Sequence, residues 1–141
     1  MQTVIGQEFP TKVIPLIDGA KSNIRIVVFD WRWYANDPGS SVQLFNQAII
    51  RAARRNVQVK AICNFESVVS ALIACGCVAR KLTTKNLVHV KLIIIDDKIV
   101  VIGSHNFTQN AFTTNHEASV IFEDTENSQI LIKFFDELWL L

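Results

Sequence analysis

The sequence predicts an α/β domain with a mixed β-sheet and helices on both faces of that sheet. Two observations favour this class. Continuous apolar runs typical of buried strands, "NIRIVVFD" at 23–30 and "VQVKAIC" at 57–63, alternate with segments of helical periodicity. The segment "HVKLIIIDDKIVVIGS" at 89–104 reads as two apolar strands around a polar turn, and such a hairpin adds an antiparallel element to the sheet.

Local signals place the remaining elements along the chain. A helix is predicted over 11–21 despite Pro15, and Ser41 is the candidate cap of a second helix that runs to about Arg55. A third helix over 66–75 has Gly76 as its stop signal. After the hairpin we expect a loop or helical turn near 107–114, a strand at 116–122 and a last helix from about 124. That helix carries apolar residues at helical spacing: Ile130, Leu131, Phe134, Phe135 and Leu138.

Length and composition suit one domain. The 141 residues, half of them hydrophobic, can bury one sizeable core, so 1–141 is treated as a single domain. No apolar run reaches the roughly 18 residues of a membrane span, and the first 21 residues lack the pattern of a signal peptide. We therefore expect a cytoplasmic protein without stable membrane insertion, with a mature secreted chain as the alternative.

The three cysteines, Cys63, Cys75 and Cys77, are an odd number that suits a reducing compartment. The "CGC" sequence has the form of half a metal or redox site, but no second Cys/His cluster accompanies it, so buried thiols and no metal are predicted. The net charge is only +1, with eight basic and one acidic residue in 50–91, and six acidic and one basic residue in 116–141. This asymmetry is compatible with a phosphate-bearing ligand, but on the asymmetry alone chance clustering of surface charges is the favoured explanation.

The hairpin brings polar residues together. A two-residue turn at Asp96 and Asp97 predicts the pairs Ile95 with Lys98, Ile93 with Val100, Lys91 with Ile102 and His89 with Ser104. His89 and Lys91 then share one face, and Gly103, Ser104 and Asn106 return beside them. Histidine is a possible nucleophile, lysine a fixed charge, asparagine and serine hydrogen-bond donors, and glycine permits close approach of a ligand or backbone. Together they predict a site that binds and attacks a phosphate. Asp96, roughly 23 Å away, is expected to accept backbone N–H groups of its own turn.

These residues resemble the motifs of the phospholipase D superfamily. His89, Lys91 and Asp96 fit its HxKxxxxD signature, "GSHN" at 103–106 fits the GSxN element, and "NHE" at 115–117 fits the N-x-E that follows. The chain carries one such HKD repeat, so it resembles the small single-motif nucleases that act as two-fold dimers. The resemblance implies a homodimer whose active site lies at the two-fold interface.

The resemblance also implies roles for the site residues. His89 would form a phosphohistidine, and His89 of the other subunit would serve as acid and then base. Lys91 and Asn106, assisted by Ser104, would stabilise charge without a metal or other cofactor, and Glu117 would bond the far ring nitrogen of His89. Strand alternation should turn His105 and His116 away from the site.

Four further residues are candidate substrate contacts. Arg80, Lys81 and Lys85 precede His89 and either contact phosphates or form a solvated turn. Trp33, on the same face as Trp31, either stacks on bases or packs in the core or dimer interface. We therefore predict a metal-independent nuclease of low sequence specificity, with DNA the favoured substrate over RNA. A phospholipase D or phosphatidyl transferase, and an inactive nucleic-acid-binding module, are the alternatives.

Overall fold

The computed structural model describes all 141 residues, which form seven strands and five helices. The strands are β1 (Gln2–Ile5), β2 (Asn23–Val27), β3 (Gln58–Ile62), β4 (Val78–Arg80), β5 (Leu92–Ile95), β6 (Ile99–Gly103) and β7 (Ala118–Glu123). The helices are α1 (Glu8–Asp18), α2 (Ser41–Arg54), α3 (Glu66–Ala74), α4 (Gln109–Thr113) and α5 (Thr125–Trp139).

All seven strands form one mixed sheet in the order β1-β7-β6-β5-β2-β3-β4. The pairs β2–β3 and β3–β4 are parallel, and the other four pairs are antiparallel. The hairpin therefore lies in the middle of the sheet, with β5 beside β2. This position explains why all four residues of β5 are buried and why the strand is a continuous apolar run.

Two cores lie on the two faces of the sheet. The larger cluster has 29 buried residues and takes its helical members from α1, α2, α3 and α4, whereas the smaller cluster of eight takes them from α5. The predicted class, an α/β domain with a mixed sheet and helices on both faces, is confirmed. None of the helices combines the length and apolarity needed to cross a bilayer.

The cysteines lie where the sequence predicts buried thiols. Cys63 and Cys77 are buried and Cys75 is half-buried, and all three are free. Burial raises the pKa of Cys63 and of Cys77 to about 11. Since the thiolate is the reactive form, these two side chains pack as apolar groups.

Two local predictions are wrong by small amounts. The cap of α2 is Ser40 rather than Ser41, because the Ser40 hydroxyl accepts the N–H of Gln43 at 3.3 Å. The hairpin register is shifted by one residue, so that Ile95 lies opposite Ile99. Lys98 joins the two aspartates in the turn, where its N–H donates to the carbonyl of Ile95 at 3.1 Å, and this third turn residue shifts every later pair.

Asp96 supports a different loop from the one predicted. Its carboxylate accepts three backbone N–H groups between α1 and β2, from Ser22 at 2.8 Å, Lys21 at 3.0 Å and Asn23 at 3.2 Å. Burial raises the pKa of Asp96, but these donors and the nearby Lys98 outweigh burial and hold the pKa below its ordinary value. Asp96 thus joins the hairpin turn to the start of β2, rather than satisfying its own turn.

Candidate active site

His89 and Lys91 are in direct contact at the entry to β5. His89 is exposed and lies in the loop before the strand, so it is not paired with Ser104 as the hairpin geometry predicted. The Nζ atom of Lys91 lies 3.0 Å from Nδ1 of His89 and donates to the His89 carbonyl at 2.8 Å. The backbone bond fixes the ammonium group beside the imidazole, where it can stabilise negative charge developing on a bound group.

Lys91 is held in a partly desolvated position, with only 9% of its surface exposed. Burial lowers the pKa of Lys91, and the carboxylate of Glu117 acts in the opposite direction. The ammonium also lies 5.7 Å from the centre of the Phe29 ring. An ammonium group in such a setting interacts more strongly with a phosphate than one in open water.

The end of β2 adds two neighbours that sequence reasoning missed. The ring of Phe29 packs against His89 with centroids 4.8 Å apart, and the N–H of Asp30 donates to Oδ1 of Asn106 at 3.0 Å. This bond to the amide oxygen fixes the orientation of the Asn106 side chain. Its Nδ2 group has no protein partner and can donate to a ligand. The available signal was position, since both residues directly follow the buried strand β2.

Ser104, Glu117 and Asn115 form a second group of hydrogen bonds. The Ser104 hydroxyl donates to Oε1 of Glu117 at 2.6 Å and accepts the N–H of Ala118 at 3.0 Å, and Asn115 Nδ2 donates to Oε2 of Glu117 at 3.2 Å. Glu117 makes no hydrogen bond with His89, contrary to the predicted contact. These partners occupy both carboxylate oxygens. The negative charge of Glu117 still affects the site, because it favours the charged form of Lys91.

The other two histidines make no hydrogen bond with this group, and of the two only His105 is turned into the core, although His116 borders the same surface pocket as Ser104 and Glu117. His105 is fully buried, stacks near Phe9, and hydrogen-bonds Ser119 at 2.7 Å and the Gly6 carbonyl at 2.9 Å. Burial lowers the pKa of His105, so it packs as a neutral ring. His116 is exposed at the turn into β7.

The four candidate substrate contacts have different outcomes. Arg80 is engaged elsewhere, because its guanidinium donates to the carbonyls of Trp139 and Leu141; the prediction that it contacts substrate is therefore not supported by its placement. Trp33 is half-buried against the larger core beside Trp31, which is fully buried and bonds Asn46. Both rings are thus largely packing groups. Lys81 and Lys85 are exposed on the loop that leads to His89.

An apolar groove of about 610 Å³ lies next to His89. It is formed by 83–90 on one side and by α5 and the C-terminal residue on the other, with Leu87, Val88, Phe134, Leu138 and Leu141 in its lining. Lys85 also lines the groove. The exposed His89 therefore lies between this apolar surface and the polar side chains described above.

Comparisons with known proteins show relatives in sequence and in fold. Residues 13–139 match the family described as cardiolipin synthase, PLD-like domain. The chain is 26% identical over 133 residues to a mouse protein named mitochondrial cardiolipin hydrolase and 23% identical over 138 residues to the human one. These matches cover 92% and 95% of this chain, but 57% and 52% of the relatives, so the chain spans about half the length of the curated relatives it matches.

Two solved structures share the whole fold. Nuc, a phospholipase D family member from Salmonella typhimurium, superposes with a TM-score of 0.82 at 24% identity, covering 98% of this chain and 92% of Nuc. NucT from Helicobacter pylori superposes with a TM-score of 0.80 at 21% identity, covering 97% and 93% of the two chains. In both cases the sheet and its helices align almost from end to end.

Proposed function

This chain belongs to the phospholipase D superfamily, and from that premise we propose that it is a metal-independent phosphodiester hydrolase, in the first place a nuclease of low sequence specificity. The observation that carries the proposal is the contact between exposed His89 and partly desolvated Lys91. A nucleophile and a cation held together in this way suit attack on a phosphodiester, because the cation offsets the charge of the substrate.

The proposed reaction has two displacements. A ring nitrogen of His89 attacks phosphorus, and the bond from phosphorus to the leaving oxygen breaks, with its electron pair moving to that oxygen. His89 of a second copy of the chain protonates the oxygen. The His89 of the second copy then takes a proton from water. The water oxygen attacks phosphorus and displaces the His89 of the first copy. The products are a phosphomonoester and an alcohol, and both histidines return to their starting states.

The remaining site residues support this chemistry. Lys91 and the free Nδ2 of Asn106 donate to the non-bridging oxygens, where negative charge increases in the transition state. Glu117 balances the charge of Lys91, and Ser104 fixes one carboxylate oxygen of Glu117. Lys85 and Lys81 add positive charge on the approach to His89.

Phospholipid cleavage is a second candidate function with its own support. The matched relatives from mouse and human are named mitochondrial cardiolipin hydrolase, and the groove beside His89 is mainly apolar. An acyl chain in that groove would gain from burial of its apolar surface. Nucleic acid remains the first proposal, because basic Lys81 and Lys85 precede His89. DNA stays the preferred substrate. A cytoplasmic location stays a prediction.

The test is cleavage of labelled single- and double-stranded DNA and RNA in excess EDTA. We expect wild-type protein and an Arg54→Gln control to cleave, and His89→Ala to be inactive, because Arg54 is exposed in the last turn of α2. Cleavage of cardiolipin vesicles alone would replace the nuclease with the second candidate. Binding of nucleic acid without turnover at any pH would indicate an inactive binding module and contradict the proposal.

A further inference from the structure

A polar groove of about 360 Å³ opens on the side of the site where Asn106 lies. Of its eight lining residues only Tyr34 is hydrophobic, and the others include Asp30, Arg32, Asn110 and Asn115. This groove differs in chemistry from the apolar groove beside His89, and only two of its lining residues, Asn106 and Asn115, belong to the motifs. Its composition suits a hydrated, hydrogen-bonding ligand, because an acyl chain would desolvate these groups without replacing their bonds.

Two buried side-chain amides of α2, those of Asn46 and Gln43, hold the backbone that lines the groove. Asn46 donates to the carbonyl of Arg32 at 2.9 Å, and Gln43 accepts the N–H of Tyr34 at 2.7 Å. The two amides also bond each other at 3.0 Å. Buried polar networks that are fully satisfied rigidify the chain around them. The segment 32–34 is therefore held in one conformation before any ligand arrives.

Arg32 presents one free edge of its guanidinium. Nε donates to Asp30 at 2.8 Å and the guanidinium carbon lies 4.4 Å from the centre of the Phe65 ring, but Nη1 has no protein partner. The side chain is 45% exposed. Because Asp30 balances its charge, Arg32 acts by directed hydrogen bonds more than by general attraction.

Tyr34 provides an aromatic face in the same groove. Its side chain is 40% exposed, and its hydroxyl makes no hydrogen bond within the protein. A guanidinium edge and an open aromatic ring on a rigid backbone match a sugar-phosphate group and a base of single-stranded nucleic acid. Bases within a duplex are already stacked and do not offer a free face to such a ring.

The groove is connected directly to the proposed reaction centre. Asp30 lines the groove and orients Asn106, and the preceding residue, Phe29, packs against His89. We propose that this groove binds the single-stranded nucleic acid that flanks the scissile phosphate, with Tyr34 stacking on a base and Arg32 contacting a phosphate. The inference rests on the proposed nuclease function and adds to it a specific subsite and a preference for single strands.

Kinetics on two substrates test the subsite. For a single-stranded oligodeoxynucleotide, Tyr34→Ala should raise KM about tenfold with little change in kcat, and Tyr34→Phe should match wild type because the ring is retained. Arg32→Gln should also raise KM, whereas Arg54→Gln, an exposed arginine in the last turn of α2, should not. Cleavage of bis(p-nitrophenyl) phosphate, which has no flanking nucleotide, should be the same in all five proteins.

Binding without turnover separates this inference from the proposed function. In a His89→Ala background, anisotropy of a fluorescein-labelled single-stranded oligodeoxynucleotide should show Kd about tenfold weaker with Tyr34→Ala and unchanged with Tyr34→Phe. If wild type cleaves no nucleic acid but this pattern holds, the nuclease proposal fails and the subsite stands. If wild type cleaves and Tyr34→Ala changes neither KM nor Kd, or if no binding is seen, the subsite is wrong.

Discussion

Gly103 lies where β6 and β7 leave no room for a side chain. A Cβ atom built there would lie 2.3 Å from the Ser119 hydroxyl, 2.4 Å from the Ser119 Cα and 2.5 Å from the Ala118 carbonyl oxygen. Two of these atoms belong to the backbone and cannot move without separating the strands. Of the two reasons for glycine that the sequence suggested, a close ligand or a close backbone, the structure shows the second.

We therefore expect Gly103→Ala to lower the free energy of unfolding by about 1–3 kcal/mol. Urea denaturation followed by circular dichroism measures this difference. Gly39→Ala is the matched control, because a Cβ at Gly39 would have no neighbour within 4 Å. Equal stability of the two variants would show that the strands separate there without cost.

Asp96 should give the protein an acid-sensitive part of its stability. Its pKa is lower in the folded protein than the ordinary value of 3.8, so its stabilising effect is complete above pH 3.8 and is lost as the pH falls through the folded-state pKa. Asp96→Asn should cost about 1–3 kcal/mol at pH 7, because the accepting charge is removed. The difference from wild type should shrink toward pH 3.

Urea denaturation at a series of pH values measures this loss. Asp37→Asn serves as the control, since the exposed Asp37 side chain accepts no hydrogen bond in the structure. An Asp96→Asn effect that is the same at pH 7 and pH 3 would contradict the role given to its charge.

Sequence spacing was enough to single out the motif residues, because their types and intervals carry the chemistry. Phe29 and Asp30 could not be found in this way, since they reach His89 and Asn106 only through the pairing of β2 with β5. The contact of Glu117 was mistaken for a related reason. Hydrogen bonds to Ser104 and Asn115 compete for its oxygens, and a motif does not show which partner prevails.

At the scale of elements, β4 and the end of α5 are joined by Arg80. Its guanidinium donates to the carbonyl of Trp139, the last residue of α5, and to that of Leu141 beyond it, and lies 5.6 Å from the Trp139 ring. Carbonyls in the last turn of a helix have no partner within that helix, so these bonds stabilise the helix end.

Arg80→Gln should therefore speed hydrogen exchange of the Leu140 and Leu141 amides, which bond Asp136 and Leu138. It should leave the affinity for a single-stranded oligonucleotide within about twofold of wild type. Arg54→Gln, at an exposed arginine of α2, is the control for loss of one positive charge. Weaker oligonucleotide binding with unchanged exchange would restore Arg80 as a substrate contact.

The strands that sequence analysis missed are both short and lie at the edges of the sheet. β1 has four residues and β4 has three, and each pairs on one side only. Runs of this length carry too little periodicity to indicate a strand, and their structure depends on partners distant in the chain. Longer elements such as α2 and β3 were predictable because an apolar face or a buried run extends over many residues.

At the scale of the whole molecule, the basic excess of 50–91 attracts a polyanion less than the number of its basic residues suggests, because some of them are engaged within the protein. Arg51 pairs with Asp18 at 3.0 Å, and Arg80 is used at the end of α5. With a net charge of +1, the surface as a whole gives little attraction to a polyanion. The proposed affinity for nucleic acid must therefore come from local groups near the site.

One chain supplies one copy of His89, whereas the proposed mechanism uses two histidines. If two copies share the site, an equal mixture of wild type and His89→Ala should retain, after subunit exchange, only about a quarter of the activity of pure wild type at the same total protein concentration, because mixed dimers lack one histidine. A chain that acts alone would retain about half. The measurement is initial cleavage rate against the fraction of variant, with Arg54→Gln as the control that leaves the rate unchanged. A linear decrease with the fraction of His89→Ala would exclude a shared site.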